Sequence, residues 1–323
     1  MTKKKGLAVW SVGAHARRNL LPAIALTEHW RFAGCTTRNR EAGASAAAEY
    51  GGRFYETPEA MLADTSVDAV LLAGPNGVHF DQAKAALSAG KHTLVEKSMC
   101  PKHSQTLELA ALAQAKNLVL AECFMYLHHP QFAALRARAA DTERYGPVRS
   151  VTARFGFPHL PPNDIRYSKA LAGGSLSDAG AYCISSLSQF ARNTSVHWAR
   201  TDQAAPFEVD IGGVATLDLD GVTGIADWGF GRSYQSEIEV WCARAVLRAR
   251  RVFAKPPELV TSIVVTDTMG EITEIPVQPA NHFVTMFDAM GAALADPAAR
   301  VEFVQAAVRQ SALLDAVRKH ASL

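Results

Sequence analysis

The stretch Gly6-Leu-Ala-Val-Trp-Ser-Val-Gly-Ala-His-Ala16 decides the fold. Its first six residues are a short apolar run that predicts a buried strand, and apolar residues recur at helical spacing from Arg17 to Leu26. Small residues fill the turn between them, Ser11 to Ala16. A small-residue turn at this place, opening the first crossover of a parallel sheet, is typical of a dinucleotide-binding unit.

The turn matches the dinucleotide fingerprint G-x-G-x-x-G/A in part. Ser11 stands at the first glycine, Gly13 at the second and Ala16 at the third, where a small residue is allowed. The second glycine lets the backbone approach a pyrophosphate, and the helix N-terminus offers free amides to it. We therefore expect cofactor contacts from Ser11, Gly13, Ala14 and His15. Turns of this kind also occur in folds that bind no nucleotide, so the motif alone leaves that alternative open.

The first 125 residues alternate strands with helices. Strands are predicted at 31–36, 68–73, 92–95 and 118–121, and helices at 41–50, from 57, at 78–89 and at 101–116. Strand and helix alternating at this pace indicate right-handed crossovers that build a doubly wound parallel sheet, the Rossmann arrangement.

The pattern changes after residue 147. A long strand is predicted at 148–157, and a helix after Gly173-Gly174. Seven further strands between 195 and 277 follow one another too closely for intervening helices, which favours a large, mainly antiparallel sheet. Helices at 281–294 and 301–321 close the chain. At about 150 residues per domain, 323 residues predict an α/β protein of two domains, 1–124 and 125–323.

Composition excludes several classes of protein. A net charge of +2 is too balanced for a nucleic-acid binder. Five scattered cysteines form no CxxC pair, which argues against zinc ribbons and disulfide frameworks and fits a cytoplasmic protein. The adjacent His128 and His129 have no acidic or thiol partner at ligand spacing, so we expect no metal. No apolar run has the length of a membrane helix, and we expect no membrane partner.

The loop after the second strand indicates which dinucleotide is bound. An NAD site has an acidic residue there for the ribose 2′-hydroxyl. This chain has Thr36-Thr37-Arg38-Asn39-Arg40 instead. A guanidinium pairs with a phosphate through its planar fork of donors. Thr37, Arg38 and Arg40 therefore predict NADP(H), although solvated loop arginines would give the same pattern.

Four motifs together resemble the Gfo/Idh/MocA family, the glucose–fructose oxidoreductase and inositol dehydrogenase group. They follow the family's order over about residues 6–190, and beyond that only the architecture is shared. The motifs are the turn at Ser11–Ala16, Gly74-Pro75-Asn76-Gly-Val-His79 after the fourth strand, Val95-Glu96-Lys97-Ser98 after the fifth, and Asp164-Ile-Arg-Tyr167 with Asp178 and Tyr182.

The resemblance implies roles for single residues. Lys97 matches the lysine of the family's E-K-P motif, and Asp178 and Tyr182 match its D-x-x-x-Y/H pair. Further cofactor contacts would come from Pro75, Asn76, His79, Glu96 and Lys97. The tyrosine form resembles dihydrodiol dehydrogenases, glucose–fructose oxidoreductase and NDP-sugar 3-ketoreductases. The family pairs a Rossmann domain with a C-terminal domain whose open sheet often mediates assembly, so we expect a homo-oligomer through that sheet.

The chemistry supports these roles independently. Hydride transfer to a ketone builds negative charge on oxygen, which calls for a proton donor and a nearby cation. A tyrosine has a pKa of about 10, and an adjacent ammonium lowers it. Lys97 would supply the cation and Tyr182 would relay the proton. Asp178 would orient both of them. Each residue also has an interpretation without catalysis: Lys97 as a surface lysine, Tyr182 as a core tyrosine and Asp178 as a helix cap. Arg166 would contact an anionic or polar substrate, or be an ordinary surface arginine.

Three departures from the family pattern leave alternatives open. Ser11 replaces the first glycine, Ser98 replaces the proline after the lysine, and Leu127 stands where many members carry arginine. We expect an NADP(H)-dependent oxidoreductase acting on a sugar, ketosugar or related polyol. The alternatives are a catalytically weak NADP-binding regulatory or scaffold protein on the same fold, and a dihydrodiol dehydrogenase acting on a non-sugar.

Overall fold

The computed structural model describes residues 3–322, which divide into two compact units. The first extends to Phe124 and includes Phe283–Ser311, and the second comprises Met125–His282 and the chain from Ala312. The sequence analysis assigned everything after residue 124 to one domain. The segment 283–311 packs with the first unit instead, where the Trp30 indole donates to the Phe287 carbonyl at 2.8 Å.

Six parallel strands form the sheet of the first unit in the order β3-β2-β1-β4-β5-β6, which confirms the predicted Rossmann arrangement. The strands are β1 (Lys5–Trp10), β2 (Trp30–Thr36), β3 (Arg53–Phe54), β4 (Ala69–Leu72), β5 (His92–Glu96) and β6 (Leu120–Cys123). Their order reverses between β1 and β4, and ligands of such sheets bind beyond the carboxyl ends of the strands at this switch point.

Helices connect these strands. They are α1 (Leu21–Leu26), which follows a π-helical turn at Ala16–Leu20, α2 (Arg40–Tyr50), α3 (Pro58–Ala63), α4 (Asn76–Ser88) and α5 (His103–Ala115). Local chemistry sets where they begin: the Thr57 side chain accepts from the Ala60 amide at 3.2 Å, and Pro58 occupies the first position of its helix.

Ser11 shows why a glycine is usual at the first position of the fingerprint. Its φ of +81° lies in the left-handed region, which a side chain disfavours. The Ser11 amide donates to the Thr36 carbonyl at 2.8 Å, which ties the turn to the end of β2. The substitution therefore keeps the backbone path of the turn at the cost of local strain.

The second unit is built on an eight-stranded sheet in the order β14-β13-β12-β11-β7-β10-β9-β8. The strands are β7 (Val148–Phe157), β8 (Thr194–Asp202), β9 (Gly212–Leu219), β10 (Val222–Phe230), β11 (Gln235–Cys242), β12 (Ala245–Arg250), β13 (Thr261–Asp267) and β14 (Ile272–Val277). The predicted mainly antiparallel sheet is confirmed. One pair, β7 with β10, is parallel, because β7 joins the sheet between strands that come much later in the chain.

Helices α6 (Pro130–Ala140), α7 (Thr142–Tyr145) and α8 (Ala181–Leu187) belong to the second unit, and α8 packs on β7 and β10. The first two lie where the sequence analysis predicted no element. Gly180 comes so close to the indole of Trp228 that a Cβ atom there would lie 3.0 Å from the ring.

Two further helices close the chain, α9 (His282–Ala292) and α10 (Pro297–His320), as predicted. None of the helices within residues 3–322 combines the length and the apolar character that a bilayer crossing requires.

Candidate functional site

The turn after β1 has the geometry of a phosphate-binding loop. A Cβ atom on Gly13 would meet no atom of the described chain within 4 Å, and its φ is not in the left-handed region. The polypeptide therefore gives no reason for a glycine at this position. A pyrophosphate that approaches the backbone closely supplies one, so the turn fits a dinucleotide.

His15 ties this turn to the end of β5. Its Nε2 lies 3.5 Å from a Glu96 carboxylate oxygen, and its ring packs edge-on against Phe283. Asn19 holds the other ring nitrogen at 2.9 Å. The Glu96 oxygen is buried and makes no hydrogen bond within residues 3–322. The predicted cofactor residues His15 and Glu96 are thus neighbours.

The loop after β2 presents its two arginines differently. Arg40 pairs with Glu56 at 2.5 Å. Arg38 is exposed and makes no ion pair or hydrogen bond to any residue from 3 to 322, and Thr37 beside it is half-buried. Asn39 caps α2 by accepting from the Ala42 amide at 3.0 Å, which holds this loop in place. Arg38 is therefore the guanidinium most available to a phosphate.

His79 is completely buried. It lies on the first turn of α4, which begins at the half-buried Asn76 directly after Pro75. Its ring nitrogens lie 2.9 Å from the Gly74 carbonyl and 3.0 Å from the Ser98 carbonyl. Burial lowers the pKa of His79, against the opposing effect of these carbonyls, so the neutral ring donates to one carbonyl at a time. Any contribution to cofactor binding comes through the backbone that it positions.

Lys97 follows β5 directly and is half-buried. The peptide bond between Lys97 and Ser98, where the family has proline, is cis.

In the second unit, Tyr182 lies on α8 among aromatic rings. Only 6% of it is exposed, and its hydroxyl donates to the Met125 sulfur at 3.4 Å. The rings of Tyr126, Phe155 and Phe253 surround it at centroid distances of 5.4–5.8 Å. A sulfur is a weak acceptor of hydrogen bonds.

Asp178 lies in a π-helical turn, Leu176–Gly180, that leads into α8, and such turns occur often at functional sites. Arg166 donates from Nε to the Asp178 carboxylate at 2.8 Å and also pairs with Asp164 at 3.2 Å. The two carboxylates raise the pKa of Arg166. Arg166 therefore serves as a clamp on Asp178, a role that the sequence analysis did not foresee.

Asp210 fixes the start of this helix. Its carboxylate accepts from the Ser175 hydroxyl and the Leu176 amide, both at 2.6 Å. Gly174, at φ +109°, lies so close that a Cβ atom would come within 2.3 Å of that carboxylate. Burial raises the pKa of Asp210, opposed by these hydrogen bonds and by Arg318. Asp210 thereby satisfies donors that a helix start leaves unpaired.

Two family descriptions match the chain. "Oxidoreductase family, NAD-binding Rossmann fold" covers residues 7–124, and "GFO/IDH/MocA C-terminal domain" covers residues 132–248. The chain belongs to the Gfo/Idh/MocA family of oxidoreductases. The predicted family is confirmed, and the first unit is its nicotinamide-dinucleotide domain.

Several curated relatives are named for sugar substrates, and another is a trans-1,2-dihydrobenzene-1,2-diol dehydrogenase of Xenopus laevis. The chain is 30% identical over 305 residues to dTDP-3,4-didehydro-2,6-dideoxy-alpha-D-glucose 3-reductase of Actinomadura kijaniata, across 94% of this chain and 91% of the relative. It is 32% identical to D-xylose 1-dehydrogenase (NADP(+)) 2 of Haloferax volcanii over 264 residues, 80% of this chain and 79% of that protein.

The similarity to these relatives extends to the three-dimensional fold. The solved structure of KijD10, a 3-ketoreductase from Actinomadura kijaniata in complex with NADP and TDP-benzene, superposes with a TM-score of 0.93 at 28% identity. The match covers 98% of each chain.

Two residues of this Gfo/Idh/MocA chain were missed by sequence reasoning. Asp210 contacts residues 34 and 35 positions away, and no local pattern announces it. Glu122 is the third of the four residues of β6, and an acidic residue near the carboxyl end of a buried parallel strand was a signal that went unused.

Asp210→Ala should lower the free energy of unfolding by about 1–3 kcal/mol, because the Ser175 hydroxyl and the Leu176 amide lose their buried acceptor. Asp210→Asn keeps an acceptor and should lose less. Urea unfolding followed by circular dichroism measures both. As a control, Asp218→Ala removes an exposed carboxylate from the Gly221 amide and should change stability by less than about 1 kcal/mol. Equal losses at Asp210 and Asp218 would contradict the capping role.

Proposed function

We propose that this protein is an NADP(H)-dependent oxidoreductase that transfers a hydride to or from a sugar, a ketosugar or a related polyol. Two observations carry the cofactor part of the proposal: Arg38 makes no ion pair or hydrogen bond within residues 3–322, and a Cβ atom on Gly13 would meet no described atom within 4 Å. The sugar part is supported by the curated relatives, which include dTDP-linked ketosugar reductases and an NADP-dependent xylose dehydrogenase.

NADP(H), when bound, supplies or accepts the hydride. The turn around Gly13 would hold its pyrophosphate and Arg38 its 2′-phosphate. Lys97 would bind and polarise the substrate oxygen, because an ammonium stabilises the negative charge that develops there. Tyr182 would donate or accept the proton at that oxygen through its hydroxyl. Asp178, fixed by Arg166, would orient the tyrosine's helical segment.

Variants of the similar ketoreductase favour this pair of residues. Solved structures of KijD10 include one in which a single tyrosine is replaced by phenylalanine, and two in which a single lysine is replaced by alanine or glutamate. A panel of free sugars, nucleotide-linked ketosugars and diols, followed by nicotinamide absorbance, would identify the substrate among the classes that the relatives represent.

We also propose that the protein is a cytoplasmic homo-oligomer. The five cysteines are all free and buried, as expected in a reducing compartment. One face of the large sheet is buried, and the side chains that alternate with the buried ones form the opposite face. That opposite face is the surface available for assembly. Trp241 on β11 is 60% exposed there, beside an ion-pair ladder that joins Glu237 to Arg154, Arg248 and Arg250. An exposed tryptophan among mutually compensating charges suits a self-complementary contact.

Light scattering should show an oligomer at micromolar concentration. Trp241→Arg should shift the equilibrium towards the monomer, because it places a new cation among the arginines of the ladder. Leu26→Arg, at an exposed apolar position on α1 of the first unit, is the control and should leave the mass unchanged. A parental protein that is monomeric under these conditions would refute assembly through the sheet.

Arg38→Ala should weaken NADP(H) binding by about 1.5–3 kcal/mol, the contribution of one charge-assisted pair, and leave NAD(H) binding nearly unchanged. Fluorescence titration of both cofactors measures this. Arg40→Ala is the matched control and should lose less, since Glu56 already holds that guanidinium. Equal affinity of the parental protein for NADP(H) and NAD(H) would contradict the proposed preference for NADP(H).

Tyr182→Phe should lower turnover about 10²–10⁴-fold, because the ring and its packing remain while the transferable proton is lost. Lys97→Met should also lower turnover, through loss of the charge on the developing oxyanion. The double variant should be little worse than the more damaged single one, because residues that act as a unit are not additive. Stopped-flow absorbance of the nicotinamide measures the chemical step.

Tyr126→Phe provides the control for this experiment. It removes a buried hydroxyl from the same aromatic cluster, one that donates to Ser185 at 2.8 Å, and should leave turnover near the parental rate. If Tyr182→Phe keeps near-parental turnover while the chemical step limits the rate, the proton relay is contradicted and Tyr182 is a packing residue only.

A further inference from the structure

A buried lysine without a carboxylate partner lies in the second unit. Lys255 belongs to the loop between β12 and β13, and only 9% of it is exposed. Its amine donates to Gln131 Oε1 at 3.0 Å, and within residues 3–322 it makes no other hydrogen bond and no ion pair. Burial of an ammonium without an opposite charge is costly, so the site favours the neutral amine. A neutral amine has a free electron pair and is a nucleophile.

Gln131, on the first turn of α6, fixes the position of this amine. Its Nε2 donates to the carbonyls of Arg250 on β12 and Ser262 on β13, at 2.9 and 3.1 Å. Because the amide nitrogen faces two acceptors, the amide oxygen is left facing Lys255. The lysine nitrogen is therefore held against an acceptor that two strands keep in place.

His129 adds a buried donor to the same network. Its Nδ1 accepts from the Gln131 amide at 3.0 Å, so the neutral ring carries its proton on Nε2. His129 is 1% exposed, and its Nε2 makes no hydrogen bond within residues 3–322. Buried N–H groups in folded proteins have acceptors as a rule. An oxygen that a ligand brings to this cluster would serve this donor.

The charges in the cluster also favour a neutral lysine. Burial lowers the pKa of Lys255 to about 7. The imidazoles of His128, His129 and His282 have pKa values lowered to about 4, 4 and 3, chiefly by burial, and the Lys255 charge contributes at His129 and His282. No carboxylate contributes to any of these four shifts. At pH 8 the rings are neutral, and so are most of the Lys255 amines.

We propose that Lys255 is a site of reversible carbamylation by carbon dioxide. The Lys255 nitrogen attacks the carbon of carbon dioxide and forms an N–C bond, while the electron pair of one C=O bond moves to its oxygen. The nitrogen then releases one proton to solvent, which leaves a carbamate anion. No oxidant, reductant or further reactant takes part.

The carbamate suits the hydrogen bonds of the cluster. It keeps one N–H, which donates to Gln131 Oε1 as the amine does now. Its oxygens provide acceptors for the N–H at His129 Nε2. Carbon dioxide is small and uncharged, so it can enter a site that is nine-tenths closed to water, whereas a sugar aldehyde or an acyl ester is larger.

The histidines suit the charge of the product. A cation at Lys255 lowers the pKa of His129 and His282, and an anion at the same place has the opposite effect. The imidazoles can then take up protons and compensate the carbamate. They offer no such compensation to an ammonium, so the cluster accommodates the adduct better than the protonated lysine.

Trapping of the carbamate in the intact protein tests the proposal. The protein is equilibrated with isotopically labelled bicarbonate at pH 8 and treated with a trialkyloxonium salt, which alkylates the carbamate and makes it permanent. After digestion, mass spectrometry should find the label on Lys255 at least about tenfold above that on Lys84. Lys84 is the matched control, because it is exposed and its ion pair with Glu108 at 2.7 Å raises its pKa.

The trapped fraction should rise between pH 6 and pH 8 at a fixed concentration of dissolved carbon dioxide. The reaction consumes the neutral amine and releases a proton, so both effects act in this direction. Labelling of Lys255 no stronger than that of Lys84, in folded protein at pH 8, would overturn the proposal.

The unfolding temperature gives a second readout. A ligand that binds the native state stabilises it by mass action, so carbon dioxide with bicarbonate should raise the unfolding temperature at constant pH. Sodium chloride at the same ionic strength is the reference for salt effects. Lys255→Met has a side chain of similar length without the amine and should lose this response.

An equal rise in Lys255→Met would place the effect elsewhere in the protein and overturn the assignment. If Lys255→Met does not fold, the comparison of the Lys255 and Lys84 peptides within the parental protein decides. Neither readout depends on oxidoreductase activity, so the inference stands or falls separately from the proposed function.

Discussion

The strand ends of the Rossmann unit depend on one constraint: backbone groups that leave a buried parallel sheet have no strand partner, yet they remain buried. Side chains must then satisfy them, because an unpaired buried polar group costs about 1–3 kcal/mol. His79 serves the carbonyls of Gly74 and Ser98, and Glu122 serves the Met99 amide. The segments that follow β4 and β5 are held in this way, and the carboxyl ends of strands are the places from which a dinucleotide fold presents its chemistry.

The same constraint recurs in the second unit at the start of the helical segment that carries Asp178 and Tyr182. There the donors are the Ser175 hydroxyl and the Leu176 amide, and the acceptor is Asp210. Burial raises the pKa of both Asp210 and Glu122, so the stabilisation linked to the protonated form of each carboxyl declines as the pH rises.

The departures from the family pattern have different physical consequences. Ser11 retains the left-handed backbone of the glycine that it replaces and carries the strain locally. Leu127 lies in a short 3-10 turn, Met125–His128, and the next residue, His129, caps α6 by accepting from the Gln131 amide at 3.0 Å. One of the adjacent histidines, His129, thus begins a helix. Within residues 3–322, no group of three metal-ligating side chains is found.

The sequence by itself determined most of the elements, although not α6 and α7, because strand alternation, helical spacing and cap residues act over a few positions. It predicted the long strand 148–157 with the bounds that the structure has, and the cap at Thr57. Motif order also determined the family and named Lys97, Asp178 and Tyr182. Only the tertiary structure decided what surrounds them. Arg166 closes on Asp178, Asp210 reaches Ser175 across 35 residues, and residues 283–311 return to the first unit through Trp30 and Phe287, 257 residues apart. Such contacts depend on how distant segments of the chain pack together. Local periodicity in the sequence does not show which buried donor will be paired with which acceptor.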